Sequence, residues 1–309
     1  MLNIETEKLL AFENQLNPLS PEGGEIPAEV LGYGEISAIL KISGMPDIAF
    51  KRLPPFANNA QRDDYQQGVI RYCHELKNRF DIDVVEFEFC PLNNVKGESI
   101  LYMAQPCLDG DGFGNAQVAA LSGSDLMECI SPVIDTYLHI AKIQGEKDGF
   151  KLGIDGQISN WHFRPLAQKP RYVDISTPFL RQNGKEVMDP ELFLQAVPKL
   201  LSGLVKKLFL QEVLDRYYDM RAVLIDLLAN LHKEQQAEKI DLLVLLINQK
   251  ISEQGVNIKP ITRKEVDDYY KSDARIWRLF LALRRLDRFV TTKFLRRTYN
   301  FILPGAIQR

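Results

Sequence analysis

Polar and apolar residues alternate through much of the first third of the chain, the pattern of strands that bury one face. Between two of these stretches, from Ala60 to Phe80, apolar residues instead recur every three or four positions, which predicts a helix. The predicted strands are Ala28 to Leu40, interrupted by a turn at Gly32-Tyr33-Gly34, then Ile48 to Leu53, Val84 to Phe89 and Ser99 to Gln105.

The chain becomes mostly helical after a glycine-rich stretch at 110–123, which we expect to be a flexible connection. Ser124 to Ile143 is predicted as a helix with Ser122 or Ser124 as its N-cap, and Leu152 to Val173 as short strands. Helices are predicted from Pro190 to Phe301, with breaks near His232 to Ala237, Gly255 to Pro260 and Ser272. These elements predict an α+β fold with a small antiparallel sheet in residues 1–108 and a large helical part in residues 109–309.

Composition excludes several classes of protein. The 309 residues are 45% hydrophobic and 26% charged with a net charge of −3, so we expect a sizeable core and no nucleic-acid partner. The four cysteines lie far apart, and neither C-x-x-C nor H-E-x-x-H occurs, so we expect no zinc or redox centre. No apolar run approaches the length of a membrane span, and Met1 to Glu7 has no basic n-region. We therefore expect no transmembrane segment, no signal peptide and, by default, a cytoplasmic location.

Two features in the sheet region suggest phosphate binding. Glycines such as Gly32 and Gly34 let a turn approach phosphate groups closely, although many such turns bind nothing. Lys51 lies on the strand after that turn, where it could reach phosphate oxygens or, alternatively, extend to water.

Two further features in the helical part suggest a metal and a base. Asp155 and Asn160 stand five residues apart in a loop, the D-x-x-x-x-N spacing of kinase catalytic loops, which also arises by chance in ordinary turns. Trp161 to Phe163 and Arg171 to Val173 resemble two strands of a hairpin that turns at Pro165 to Pro170. Asn160 precedes this hairpin and Asp174 follows it, so both should emerge at the same end and offer oxygen ligands to Mg²⁺. Alternatively, Asp174 only caps a turn.

With these residues in this order, the stretch from Val30 to Phe179 resembles the protein-kinase-like superfamily, and most closely its aminoglycoside phosphotransferase and small-molecule kinase branch. The resemblance implies a bilobal fold with ATP and Mg²⁺ held between the lobes. It also implies roles for individual residues: Gly32 and Gly34 over the phosphates, Lys51 on the α- and β-phosphates, Gln105, Pro106, Cys107 and Leu108 as the hinge along the adenine, Asp155 as catalytic base, and Asn160 and Asp174 as metal ligands.

The sequence departs from that family's pattern at several points. Gly153-Ile154 replaces the usual His-Arg, Gln157 stands where protein kinases place a lysine that contacts the γ-phosphate, and Ser176 replaces a glycine. The helix glutamate that should pair with Lys51 is not evident, since Asp63, Gln66 and Gln67 lie near its place. Two hypotheses follow: an ATP-dependent phosphotransferase acting on a small molecule or protein, or a pseudokinase that serves as a nucleotide-binding or empty scaffold.

The last segment, 271–309, is rich in lysine and arginine and interleaves them with aromatic residues. An amphipathic helix with a solvated basic face accounts for this pattern, and a patch for anionic lipid, phosphate or an acidic partner is the alternative. If the helical part needs the apolar face of this segment, anionic vesicles should bind it weakly.

Overall fold

Five strands form one antiparallel sheet in the computed structural model, which describes residues 2–34, 37–144, 149–163, 169–189, 192, 211–294, 296 and 299–302. The spatial order of the strands is β1-β2-β3-β5-β4. Their bounds are Ala28–Tyr33 (β1), Ala38–Ile42 (β2), Ile48–Arg52 (β3), Glu88–Asn93 (β4) and Ser99–Pro106 (β5). The sheet is followed by a largely helical part, so the expected class of a small antiparallel sheet with a helical region is confirmed.

The strand predicted at Val84 to Phe89 is wrong in its position. The strand is Glu88–Asn93, because Cys90 and Leu92 are the alternate residues that enter the core beside β5. Val84 forms only an isolated bridge with Tyr172, which attaches this stretch to the helical part instead of the sheet. Val84, which precedes β4, therefore contacts the helical part and does not belong to the sheet.

Helices occupy most of the remaining described residues. The helix that lies between β3 and β4 begins at Asn59, after Asn58 caps it by accepting a hydrogen bond from the Gln61 amide at 2.9 Å. The helices are Thr6–Gln15 (α1), Asn59–Phe80 (α2), Gly114–Ala120 (α3), Gly123–Ile143 (α4), Gln211–Tyr218 (α5), Met220–Lys233 (α6), Ile240–Glu253 (α7) and Arg263–Phe289 (α8).

Several boundaries differ from the sequence-based expectations. Ser122 occupies the N-cap position of α4 but makes no capping hydrogen bond through its side chain. The glycine-rich stretch is partly helical, since it contains a 3₁₀ turn at Gly110–Gly112 and then α3. The break predicted at Ser272 is wrong, because α8 continues through it after a capping box between Thr262 and Glu265. The breaks near His232 to Ala237 and Gly255 to Pro260 are confirmed, and residues 193–210 lie outside the described residues.

Short strands organise the region between α4 and α5. Phe150–Leu152 (β6) pairs with Leu180–Gln182 (β9), which also pairs with Lys185–Glu186 (β10). Trp161–His162 (β7) pairs with Arg171–Tyr172 (β8), which confirms the predicted hairpin, although its turn at 164–168 is outside the described residues.

The two faces of the large sheet enter different cores. Phe50 and Tyr102 pack with Leu9 and Phe12 of α1 on one face. Leu101 and Met103 point to the other face and join α2 and the helical part in the larger core. Since residues alternate along β3, Lys51 points to this second face.

A buried ion pair joins α1 to the sheet. Glu13 accepts hydrogen bonds from Arg52 at 2.8 Å to each carboxylate oxygen, and the Tyr102 hydroxyl donates to the same carboxylate. Both charged groups are almost fully buried. The neighbour of Lys51 on β3 is therefore held firmly in place from the opposite face of the sheet.

The basic segment 271–309 is described through Phe294 and at residues 296 and 299–302, and it is only partly packed. Ala274 and Arg284 are buried, whereas Leu279, Leu286, Phe289 and Phe294 are each more than half exposed. The expectation that its apolar face is needed by the helical part is therefore correct for only part of the segment. Within the described ranges, no helix is both long enough and apolar enough to cross a membrane.

Candidate functional site

The sheet brings the predicted glycine turn next to Lys51. In the strand register Gly32 pairs with Ile39, Ile39 with Lys51, and Lys51 with Met103, so these residues share one face. A Cβ added at Gly34 would lie 3.8 Å from Lys51 Cε and only 2.5 Å from Ser37 Oγ. The turn therefore lies beside Lys51, and a side chain at Gly34 would fit only if the Ser37 hydroxyl rotated away.

Lys51 makes its contacts with the segment that follows the hairpin. Its Nζ donates to Asp174 Oδ1 and to Ser176 Oγ, each at 2.6 Å. Ser176 Oγ in turn donates to the same Asp174 oxygen at 2.8 Å. Burial acts to raise the pKa of Asp174, but the charge of Lys51 and the hydrogen bonds from Lys51 and Ser176 outweigh it and lower that pKa. Asp174 is thus held as a carboxylate.

None of the three helix residues considered as partners of Lys51 reaches it. Gln66 donates to Asp63, and both Asp63 and Gln67 are exposed on α2. The inward position is taken by Tyr65, whose hydroxyl donates to the backbone oxygen of Ser176. Tyr65 and Ser176 therefore connect α2 to the segment that Lys51 contacts. In the sequence, Tyr65 is one of the apolar residues whose spacing predicts the helix.

The loop that carries Asp155 is packed tightly against α6. A Cβ at Gly156 would lie 2.4 Å from the backbone oxygen of Val223, so no larger residue fits there without a shift of backbone. Asp155 Oδ1 accepts a hydrogen bond from the Gln157 amide at 3.1 Å, and Gln157 Nε2 lies 3.3 Å from the other carboxylate oxygen. Lys233, at the end of α6, donates to Gln157 Oε1 at 3.0 Å. Lys233 therefore lies beside Gln157, the position at which protein kinases usually carry a lysine.

The Asp155 carboxyl is poised to titrate near neutral pH. Burial and the nearby charge of Asp174 raise its pKa from 3.8 to about 6, against hydrogen bonds from Gln157 and Asn160 and the charge of Lys233. Asp226 of α6 lies close enough that burial and the charge of Asp155 raise the pKa of Asp226 well above its ordinary value. Asp155 is therefore the carboxylate of this region best suited to exchange a proton near pH 6.

This pKa leads to a prediction about stability. Because the folded-state pKa of Asp155, about 6, lies above its ordinary value of 3.8, ionised Asp155 destabilises the fold. The effect is absent well below pH 3.8, grows between pH 3.8 and 6, and is complete above about pH 6. Asp155→Asn should therefore remove a destabilisation on the order of 1–3 kcal/mol at pH 8 and raise the melting temperature there by a few degrees, and it should change the melting temperature little at about pH 3. Thermal melts at both pH values check this, with Asp111→Asn, an exposed site, as control. Equal melting of parent and variant at pH 8 would contradict a buried charge.

The hairpin brings Asn160 and Asp174 to the same end, as predicted. The Val173 amide donates to Asn160 O at 2.8 Å, and Trp161 packs edge-on against Tyr172. The hydrogen bonds to the Asp174 carboxylate all go to Oδ1, which leaves Oδ2 without a partner among the described residues. The Asn160 side-chain nitrogen is buried and lies near enough to Asp155 to lower the pKa of that carboxyl, but it makes no hydrogen bond of ordinary distance and angle with a described residue.

These two groups fit a cation site. A half-turn of the Asn160 amide would exchange its nitrogen for the oxygen, a ligand that Mg²⁺ accepts together with a carboxylate and phosphates. Across the described part of the chain, no group of three or more His, Cys, Asp and Glu could hold a metal by itself. Metal binding here would therefore depend on a phosphate ligand as well.

The predicted hinge continues from the end of β5. The Gln105 side chain donates to Val173 O at 3.1 Å, and the Cys107 amide donates to Asp47 O at 2.8 Å. Pro106 has no amide hydrogen. Pro106 and Cys107 therefore have no backbone N–H to donate to a base, and Leu108 is the predicted hinge residue beyond β5 that could donate one.

A family model matches residues 21–288, which is most of the chain. The chain belongs to DUF6206, a family of unknown function. No curated protein matches the sequence significantly. The part shared with DUF6206 contains every site residue from Gly32 to Asp174 together with α6 and nearly all of α8, so the site described above lies wholly within the family's own region.

Proposed function

We propose that this DUF6206 protein is a bilobal, protein-kinase-like phosphotransferase that binds Mg·ATP between its sheet and its helical part. The observation that carries the proposal is the 2.6 Å contact between Lys51 and Asp174, which joins residues 123 positions apart in the chain. A phosphate-binding lysine and a metal-binding aspartate that meet across two structural parts are what a nucleotide site of this kind requires.

The arrangement of the sheet supports the kinase-like interpretation. The order along the chain of glycine turn, lysine on β3, one helix and then β4 and β5 is the order that the resemblance implies for the smaller lobe. On this proposal residues 1–108 form that lobe, Gln105 to Leu108 form the hinge, and residues 109–309 form the larger one.

Each residue of the site has a proposed role in nucleotide binding. Gly32 and Gly34 would cover the phosphates, and Lys51 would share its positive charge between Asp174 and the α- and β-phosphates. Asp174 Oδ2 and the Asn160 amide oxygen would hold Mg²⁺. When bound, Mg²⁺ would neutralise phosphate charge that develops during transfer. The Leu108 amide would contact the adenine.

Asp155 would act as the base in the transfer step. An acceptor hydroxyl would lose its proton to the Asp155 carboxylate as its oxygen forms a bond to the γ-phosphorus. The bond from that phosphorus to the β-phosphate oxygen would break, and ADP would leave. A pKa of about 6 keeps Asp155 mostly ionised at neutral pH while leaving it basic enough to accept the proton.

A pseudokinase is the second candidate function, and the Gln157 contacts favour it. Gln157 approaches both Asp155 oxygens, and α2 offers Lys51 no acidic partner. The test is ATP consumption by the parent protein with Mg²⁺. Slow but measurable ATP turnover supports the phosphotransferase. Binding of Mg·ATP without turnover, with every acceptor supplied, would support the pseudokinase scaffold instead.

A further inference from the structure

A pocket on one face of α8 carries positive charge. It has a volume of about 530 Å³, and the described residues that line it are Tyr270, Lys271, Ala274, Arg275 and Arg278. They fall at spacings of one, four, five and eight, so they share a face over about two helical turns. The volume lies within the range of pockets that hold small molecules.

Contacts connect this pocket to the catalytic loop. The Tyr270 ring stacks on His232 of α6, with centroids 4.7 Å apart and planes at 17°. The next residue, Lys233, donates to Gln157, which donates to Asp155. The pocket is therefore connected to the Asp155 loop through two consecutive residues of α6, His232 and Lys233.

Few of the described acidic residues form ion pairs with the basic residues of the pocket. Arg275 and Arg278 direct their Nε groups to backbone oxygens of the preceding turn, and neither forms an ion pair with a described acidic residue. Lys271 has only a distant ion pair, 3.9 Å from Asp268, and its side chain is mostly exposed. Three cations around one concavity disfavour a cationic ligand and favour phosphate or carboxylate, which arginine binds with two parallel hydrogen bonds.

We propose that this pocket binds an anionic group of the acceptor, most simply a phosphate, while the acceptor hydroxyl faces Asp155. The identification of the ligand as the acceptor rests on the proposed phosphotransferase function. Binding of an anion in the pocket does not depend on phosphoryl transfer. On this proposal, Lys271, Arg275 and Arg278 of the segment 271–309 bind a ligand and do not only form a solvated basic face.

The phosphate could belong to a soluble metabolite or to a lipid headgroup. Beyond the pocket α8 exposes Leu279, Leu286 and Phe289, which would suit contact with acyl chains at a bilayer surface. In both cases Arg275 and Arg278 would bind the phosphate. A lipid would in addition make apolar contacts with α8, whereas a soluble metabolite would not.

Calorimetry with ribose 5-phosphate and with ribose, at low salt and without nucleotide, tests the pocket. A lipid arm measures co-sedimentation with vesicles that contain phosphatidylinositol phosphate. Arg275→Gln with Arg278→Gln should weaken binding of the phosphorylated probe at least tenfold, while Lys96→Gln, at an exposed lysine between β4 and β5, should leave it nearly unchanged. Melting temperatures confirm that each variant is folded, and Mg·ATP affinity is measured on the same samples.

The outcomes separate the two proposals. Binding of either phosphorylated probe that is lost only in the pocket variant supports the anion site, and the arm that responds identifies the source. No binding in either arm, binding of ribose as tight as that of its phosphate, or equal loss in the Lys96→Gln control would overturn it. If phosphate binds the pocket but Mg·ATP does not bind the protein, the phosphotransferase proposal fails and the anion site remains.

Discussion

Asp155→Asn is expected to lower ATP turnover by roughly 10²-fold or more, the usual size of a lost general base. Asparagine keeps an oxygen that can accept the Gln157 amide hydrogen bond, so the loop should retain its conformation. What is lost is the group that accepts the proton from the acceptor hydroxyl. Because Asp155 faces the acceptor in the proposed arrangement, Mg·ATP affinity should remain within a few-fold of the parent.

Turnover and affinity measured on the same preparation separate this role from a structural one. If Asp155 only capped its own turn, the substitution would change stability by about 1 kcal/mol and leave turnover intact. Turnover of the variant equal to that of the parent would therefore remove Asp155 from the mechanism. The dependence of parent turnover on pH gives a second measurement, since activity should fall as pH drops through about 6 and Asp155 becomes protonated.

Asp174→Asn should instead abolish most of the metal-dependent affinity for ATP. The substitution removes the negative ligand from the proposed site, whose other proposed ligand among the described residues is the neutral Asn160 amide, so Mg²⁺ would be held mainly by phosphates. It also leaves Lys51 without its charged partner. We expect Mg·ATP affinity to fall at least tenfold, with affinity for metal-free ATP nearly unchanged or improved, because Lys51 is released to the phosphates.

Asp155→Asn is the matched control for this variant, since it makes the same chemical change on the other side of the site. Affinities with Mg²⁺ and with a chelator, together with melting temperatures, distinguish loss of the metal site from loss of the fold. An Asp174→Asn protein that is folded and binds Mg·ATP as the parent does would show that Asp174 is not a metal ligand.

The spacing of apolar residues along the sequence was sufficient to predict many of the strands and helices. Strand alternation and helix period are set by which side chains must leave water, so β3, α2 and the hairpin of β7 and β8 could be predicted close to their observed positions. The order of the motifs placed Lys51 and Asp174 in one proposed nucleotide site, but it indicated a helix glutamate as the partner of Lys51, and the direct contact with Asp174 was not predicted. The misplaced β4 shows the limit of this reasoning, because the apolar Val84 contacts the hairpin across the molecule instead of a neighbouring strand.

The parts of the site that could not be predicted depend on contacts between distant segments. Tyr65 follows the apolar period of α2, so nothing in the pattern indicates that its hydroxyl reaches the backbone of Ser176. Lys233 is one of many lysines in the sequence, and only the packing of α6 under the Asp155 loop brings it to Gln157. The basic pocket likewise arises from which face of α8 remains open.

The most direct test of the central claim is the melting temperature of the parent protein with ATP and Mg²⁺. A ligand at a hundred times its Kd stabilises a protein by about 2.7 kcal/mol, which for a chain of this size corresponds to a shift of several degrees. We predict such a shift with Mg·ATP, and a smaller one when the metal is removed by a chelator. No shift with any purine nucleotide, with either Mg²⁺ or Mn²⁺, would contradict a nucleotide site at Lys51 and Asp174.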